Sequence, residues 1–364
     1  MDDLGTAHTG VSRPTLDTLP PPPAGRTGWP WTEETPRAAE SGRSIWPRVS
    51  VVVPSFNQGR FIEETLRSVL LQGYPNLELI VMDGGSTDET VEVLRSYEPW
   101  LTYWVSEKDR GQTHAINKGL ERVTGEVFTY LNSDDLLTPG ALAAVVEGLR
   151  AHPEADVVYG HCVYISETGE EQFTVQARFD GFLDYLRIWD RLNRREFLTQ
   201  PEVFCRTRAV VDAGGFREEL RSVMDLEMWL RLLSRGHVFQ PIDAPLARFR
   251  MYAAQKSSVD PGFELCRVVE EYVRGSGLVS PEEQERILAE MKPARAHLLV
   301  RAGIAATILD RWGDGVRYCV AAAAAYPRIV ATYPFWAVLA HPAKRFVPRS
   351  TRGRLQRLFG TPGA

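Results

Sequence analysis

The chain has 364 residues, 44% hydrophobic and 24% charged, with a formal net charge of −5. That length suffices for one large domain or two ordinary ones, and the composition is that of a globular protein. The acidic balance gives no basic face for nucleic acid, and Cys162, Cys205, Cys266 and Cys319 lie too far apart for a metal-ligand spacing, so they read as buried thiols of a reducing compartment.

Residues 1–46 contain "LPPPPAGRTGWPW" with no helical or strand period. This reads as a disordered arm, with Trp29 or Trp31 as side chains able to dock in a groove. The opening residues lack a basic stretch followed by an apolar one. No apolar run reaches the ~20 residues a bilayer demands, and the nearest, "RIVATYPFWAVLAHPAKRF", is cut by Pro334 and Pro342. The expectation is a cytoplasmic protein, at most touching the inner face of the cell membrane.

From Val49 the texture changes. "VSVVVPSFN" is a short apolar run of the kind that forms a strand buried on both faces. In "GRFIEETLRSVLLQGYP" the apolar residues Phe61, Ile62, Leu66, Val69 and Leu70 fall on a 3.6-residue period, so a helix follows and stops at Gly73. "LELIVMDGGSTDET" repeats strand, glycine turn and helix, with Asp88 as the cap. "LTYWVSEKDRGQTHAINKGLERVTG" and "EVFTYLNSDDLLTPGALAAVVEGLRAH" repeat it twice more. Strand alternating with helix predicts βαβ units, and hence an α/β fold with a doubly wound, mostly parallel sheet flanked by helices. Ligands bind outside the carboxyl ends of such strands, where Pro54-Ser55, Asp83, Glu107-Lys108-Asp109 and Asp134-Asp135 all stand.

Beyond residue 156 the order is less regular. "ADVVYGHCVYIS" and "EEQFTVQA" predict an antiparallel pair, "FLTQPEVFCRTRAVVDAGGF" a strand and short helix, "SVMDLEMWLRLLSRG" a helix, and "PLARFRMY" a last strand. From about residue 259 the chain reads as a helical extension, with a capping box at Ser280 and Glu283. The predicted division is an arm (1–46), an α/β domain (47–258) and that extension (259–364).

Two adjacent carboxylates at the edge of a core need positive charge beside them. Asp134 and Asp135 suit turn and capping roles; with Asn132 and Ser133 they also suit a hard divalent cation shared with a diphosphate. Asp225, where a loop becomes a helix, is either a cap or a general base for a hydroxyl. The tail from Lys344 to Arg357 carries six cations and no acid; it reads first as a frayed end, and second as attracted to anionic lipid headgroups.

Together, "VSVVVPSFNQGRFIEETLRSVLLQGYPNLELIVMDGGSTDET", "SEKDRGQTHAINKGL", "TYLNSDDLLTPG", "QPEVFCR" and "MDLEMWLRL" resemble the family 2 glycosyltransferases of GT-A fold over residues 49–256. The resemblance implies an inverting transfer of a sugar from a nucleotide-diphosphate donor, UDP or dTDP first, to a glycan or lipid-linked acceptor in cell-surface polysaccharide synthesis. By position, it implies that Pro54, Ser55 and Asn57 border the nucleotide, Asp83 bonds the base, and Arg110, Gln112 and Asn117 close over the donor. It puts Asp134 near the ribose, Asp135 on Mg or Mn, Asp225 as the base, and Gln200 and Trp229 on the acceptor side. One departure stands out: where related sequences often carry a metal-binding histidine, this chain has Tyr252. Two other readings remain, a non-catalytic transferase-like scaffold and a nucleotidyltransferase. The latter lacks a basic glycine-rich loop, and a dehydrogenase lacks its glycine fingerprint.

Overall fold

Seven consecutive buried residues form β1 (Val49–Ser55), the central strand of the first half of the sheet. The computed structural model describes residues 14–37, 46–252, 262–308 and 312–339. The chain divides into two units, residues 1–255 and 256–364.

In the first unit, α1 (Gly59–Leu70) buries Phe61, Ile62, Leu66, Val69 and Leu70, the predicted apolar stripe. β2 (Leu77–Asp83), α2 (Thr90–Tyr97), β3 (Tyr103–Ser106), α3 (Gln112–Leu120) and β4 (Val127–Tyr130) follow in βαβ order. The four strands run parallel in the order β3-β2-β1-β4. Their core joins Val49, Val51, Val53, Ile62, Leu66 and Val81. Asp88 ties two helix starts together, accepting from Thr90 N (3.1 Å) and Gly59 N (2.9 Å).

After β4 come β5 (Leu136–Leu137), α4 (Ala141–Ala151), β6 (Val157–Ile165), β7 (Glu171–Gln176), α5 (Gly181–Tyr185) and α6 (Ile188–Arg194). Then follow β8 (Val203–Arg206), α7 (Thr207–Asp212), α8 (Met224–Ser234) and β9 (Phe239–Arg250). The sheet continues β4-β8-β6-β9-β5, with β7 on β6. Here β8 is antiparallel to both neighbours and only β6 and β9 pair parallel. The predicted β6–β7 hairpin is present, with His161 opposite Gln176. The fold is therefore α/β, with a regular parallel half and a mixed half, the latter matching the less regular sequence.

The expectation of a disordered arm fails for residues 14–37. Leu19, Trp29 and Trp31 are buried, and the Trp29 indole donates to the Leu137 carbonyl at 2.9 Å. Arg67 of α1, fully buried, donates to the carbonyls of Pro20, Pro30 and Trp31. A proline-rich stretch needs no period of its own when a buried guanidinium collects its carbonyls.

In the second unit, α9 (Gly262–Gly275), α10 (Pro281–Ile308), α11 (Trp312–Ala325) and α12 (Tyr333–Leu339) give the predicted helical extension. Ala296, Val300, Cys319, Ala322, Ile329, Phe335 and Val338 form its core. The Ser280 hydroxyl accepts from Glu283 N at 3.3 Å. Among the described residues no helix is long and apolar enough to cross a membrane. All four cysteines are free and buried. The basic tail, Lys344 to Arg357, lies outside the described residues.

Candidate functional site

The β2–α2 loop is built by Asp83. Its carboxylate, 2% exposed, accepts from Gly85 N, Ser86 N, Ser86 Oγ and Ser106 Oγ. Gly85 at φ +83° supplies the left-handed turn this wrapping requires, and a Cβ on Gly84 would come within 2.8 Å of Asp109 Oδ2. Asn57, itself left-handed at φ 53°, locks this loop to the end of β1: its amide donates to Ser86 Oγ at 2.7 Å and its Oδ1 accepts from Thr87 N at 2.9 Å. Pro54 and Ser55 end β1 in the interior, and Ser55 Oγ has no partner among the described residues. Without a ligand, Asp83 thus takes four donors from its own loop and from β3.

The Asp134–Asp135 turn follows β4. Its positive partner, absent from the sequence reading, is Arg250 at the end of β9, 1% exposed. Arg250 N donates to Asp135 Oδ1 at 2.9 Å, Nε to the Asp134 carbonyl at 3.0 Å, and a terminal nitrogen pairs with Glu64 at 3.0 Å. Asp135 Oδ2 accepts from Asn132 Nδ2 at 3.1 Å. Asp134, 7% exposed, accepts from the Tyr252 hydroxyl at 2.8 Å, and Gln58 Nε2 reaches that hydroxyl at 3.3 Å. Burial drives the carboxyls of Asp134 and Asp135 above the ordinary range; in Asp135 the Asp134 charge adds to it, and Arg250 counteracts in both.

These contacts decide how the pair suits a cation. Asp135 is fully buried with both oxygens engaged. Asp134 has a rim of exposure, one hydroxyl partner and no ion pair among the described residues. The oxygen donors of this turn fit a hard cation completed by phosphate oxygens and water. Among the described residues no cluster of three or more His, Cys, Asp or Glu is arranged to hold a metal by itself.

A polar chain leads on from Asp135. Gln112 Nε2 donates to Asn132 Oδ1, Asn132 Nδ2 lies 3.5 Å from Gln200 Oε1, and Gln200 Nε2 donates to the Tyr130 carbonyl. Gln112 and Gln200, 88 positions apart, are thus joined through Asn132. Asp225 sits in the first turn of α8, half-buried, with Oδ1 accepting from Leu226 N at 2.8 Å. Burial raises the Tyr130 phenol well above its usual range, and the charges of Asp225 and Asp135 both add to that rise.

Other predicted residues lie elsewhere. Asn117 pins the Phe216 backbone, donating to its carbonyl at 2.8 Å and accepting from its amide at 2.9 Å. Arg110 is exposed and paired with Glu218 at 2.7 Å. Trp229 is 3% exposed against Phe239, with an indole N–H that has no partner among the described residues. Glu202, unnoticed in the sequence, is fully buried two residues after Gln200; one oxygen accepts from Thr199 N at 2.9 Å and the other has no partner among the described residues.

The sequence profile of Glycosyl transferase family 2 matches residues 50–218. "Putative teichuronic acid biosynthesis glycosyltransferase TuaG" of Bacillus subtilis is 30% identical over 213 residues, 56% of this chain and 79% of the relative. An uncharacterized glycosyltransferase of Mycobacterium tuberculosis is 37% identical over 193 residues, 51% and 68%. The chain spans only 20% of another relative, uncharacterized protein y4gI of Sinorhizobium fredii, at 34% identity over 52% of this chain. Among solved structures, S. aureus TarS 1-349 in complex with UDP-GlcNAc superposes with TM-score 0.58 at 18% identity, covering 81% of this chain and 88% of that one. That likeness concerns the fold.

Proposed function

The chain belongs to glycosyl transferase family 2, and on that premise we propose an inverting transfer of a sugar from a UDP- or dTDP-sugar to a hydroxyl of a glycan or lipid-linked acceptor, in building a cell-surface polysaccharide. The observation that carries this reading is the Asp134–Asp135 turn at the carboxyl end of β4, tied through Asn132 to Gln112 and Gln200. A proton acceptor and a diphosphate-side carboxylate are what an in-line displacement needs on either side of the sugar carbon. The name of the Bacillus relative supports a cell-wall polymer, and the UDP-GlcNAc held by the TarS fold supports a uridine donor.

Asp225 takes the proton of the acceptor hydroxyl as its oxygen attacks the anomeric carbon, opposite the departing diphosphate. Gln112, Asn132 and Gln200 hold the turn after β4 in place, and the Asp83–Asn57 loop shapes the nucleotide end with Pro54 and Ser55. Arg110 borders the donor, and Trp229 backs the acceptor side from beneath. The Asp134–Asp135 turn would hold Mg or Mn. Such a cation, when bound, supplies Lewis-acid offset of charge on the leaving diphosphate.

The test is a panel of UDP-, dTDP- and GDP-sugars with Mn, reading nucleoside diphosphate release. Asp225→Asn should lower turnover by about 10²–10⁴-fold while donor affinity stays constant. Turnover near wild type would remove Asp225 from the chemistry. Pyrophosphate release would mean a nucleotidyltransferase, and no metal-dependent nucleotide binding would mean a scaffold.

A further inference from the structure

The chain leaves the Asp134–Asp135 turn through β5, two buried residues at the end of the sheet. Among the described residues β5 pairs with β9 alone, Leu136 with Arg248 and Leu137 with Ala247. So short a ladder leaves buried backbone groups that need partners from elsewhere. Side chains meet them. Thr65 Oγ1 donates to the Asp135 carbonyl at 2.8 Å, and Ser68 Oγ accepts from Leu137 N at 3.1 Å. Gln72 Nε2 donates to the Thr138 carbonyl at 2.8 Å, and its Oε1 accepts from Leu142 N at 3.3 Å. Those three residues belong to α1 and the two positions after it.

The remaining two partners come from the segment 14–37. The Trp29 indole donates to the Leu137 carbonyl at 2.9 Å, and Thr35 Oγ1 accepts from Gly140 N at 3.0 Å. The end of α1 grips this arm in turn: Arg67 collects its carbonyls, and Thr35 N donates to the Leu71 carbonyl at 2.9 Å. Gly73, at φ +60°, keeps the path open, since a Cβ there would come within 2.7 Å of the Thr35 and Pro36 carbonyl oxygens. Core packing accounts for the Trp29 ring. It does not account for an indole N–H and a hydroxyl that both end on the backbone of residues 137–140.

We propose that Trp29 and Thr35 are positioning residues for the transfer, fixing the backbone that leaves the Asp134–Asp135 turn and so the place where cation and diphosphate meet. They act through that backbone and not on the substrate. Leu136 faces Arg248, and Asp135 Oδ1 bonds the amide of Arg250 two residues on. A slide of β5 along β9 therefore moves the carboxylate as well, and misplacement of about 1 Å can cost about a hundredfold. This inference rests on the proposed function, in which the turn serves a nucleotide-sugar donor with Mg or Mn.

The test uses the full chain carrying Trp29→Phe, which keeps a ring and loses the donor, or Thr35→Val, which keeps the shape and loses the hydroxyl. Calorimetry of UDP binding at graded Mn gives the Mn half-saturation, and donor turnover gives kcat. Half-saturation should rise and kcat fall, each about tenfold, between the cost of one buried bond and that of a 1 Å misplacement. UDP affinity without Mn should stay within about twofold. Thr35→Ser, which restores a hydroxyl, should return both values to wild type. Thr207→Val is the stability control: it removes a hydroxyl bonded to the Gly125 carbonyl, before the start of β4, and should leave Mn half-saturation and kcat unchanged. Hydrogen exchange, which needs no substrate, should quicken about tenfold in residues 136–142 of the Trp29 and Thr35 variants and stay constant in β1. Uniform quickening across the first unit overturns the inference, as does a wild-type Mn response in both variants. If the wild-type chain binds none of UDP, dTDP and GDP with Mn, the proposed function falls and takes the inference with it.

Discussion

Two stretches of the same sheet treat buried carboxylates in opposite ways. After β2, Asp83 receives four donors. Around β4 and β8 the supply is thin: Asp135 has two donors, Asp134 a single hydroxyl, and Glu202 one amide with its second oxygen bare. A carboxylate filled by donors fixes a loop and is finished. One short of donors is pushed by burial toward its neutral form and gains from incoming positive charge. The first kind is scaffold, and the second is where a charged ligand changes most.

The sharpest way to break this contrast is to neutralise one member of each kind. Asp134→Asn should cut transfer by about 10²-fold or more, the loss of an interaction worth several kcal/mol. Asp83→Asn should act mainly on KM, with kcat within about tenfold of wild type. Steady-state kinetics on the two variants decide it, and equal losses in kcat would end the distinction.

The cations give the next largest effect. Arg250→Met strands the Glu64 carboxylate, whose side chain is 10% exposed, and should cost about 3–5 kcal/mol in urea unfolding. Arg60 pairs with Glu167 where both side chains are about half exposed, and Arg60→Met should cost under about 1 kcal/mol.

Glu202 supplies the pH dependence. Burial holds its carboxyl well above the ordinary 4.5, so the folded chain keeps a proton that the unfolded chain releases. The stability tied to that proton is complete below pH 4.5 and is lost as pH rises toward the folded value. Glu202→Gln, which cannot ionise, should flatten the fall of Tm with pH over that window. An unchanged slope would show that Glu202 does not hold its proton. Ser86→Ala removes one of the four Asp83 donors and should cost about 1 kcal/mol by chemical denaturation.

The contrast also explains what the sequence revealed. The β1–α1–β2 pattern was legible because each element buries its own local stripe, and the hairpin of β6 and β7 because its strands are neighbours. Arg250 was not, since it meets Asp135 across 115 residues and Glu64 across 186. Nor did the residue pattern say which of Asp134 and Asp135 faces outward, because adjacent residues in a turn point different ways. The mixed half of the sheet was hidden for the same reason as Arg250: β8 inserts between β4 and β6, a pairing that no local period encodes. Gln112 and Gln200 were named by resemblance, and it took coordinates to bring them together through Asn132.

The stretch wound over α1 bears on where this protein can be cut. The family profile opens at residue 50, yet the guanidinium of Arg67 draws three of its acceptors from Pro20, Pro30 and Trp31. An expression boundary placed by homology would discard those carbonyls and maroon a cation in the interior. Anyone trimming this enzyme for crystals should therefore begin upstream of Pro20, because the cooperative folding unit is longer than the recognisable one.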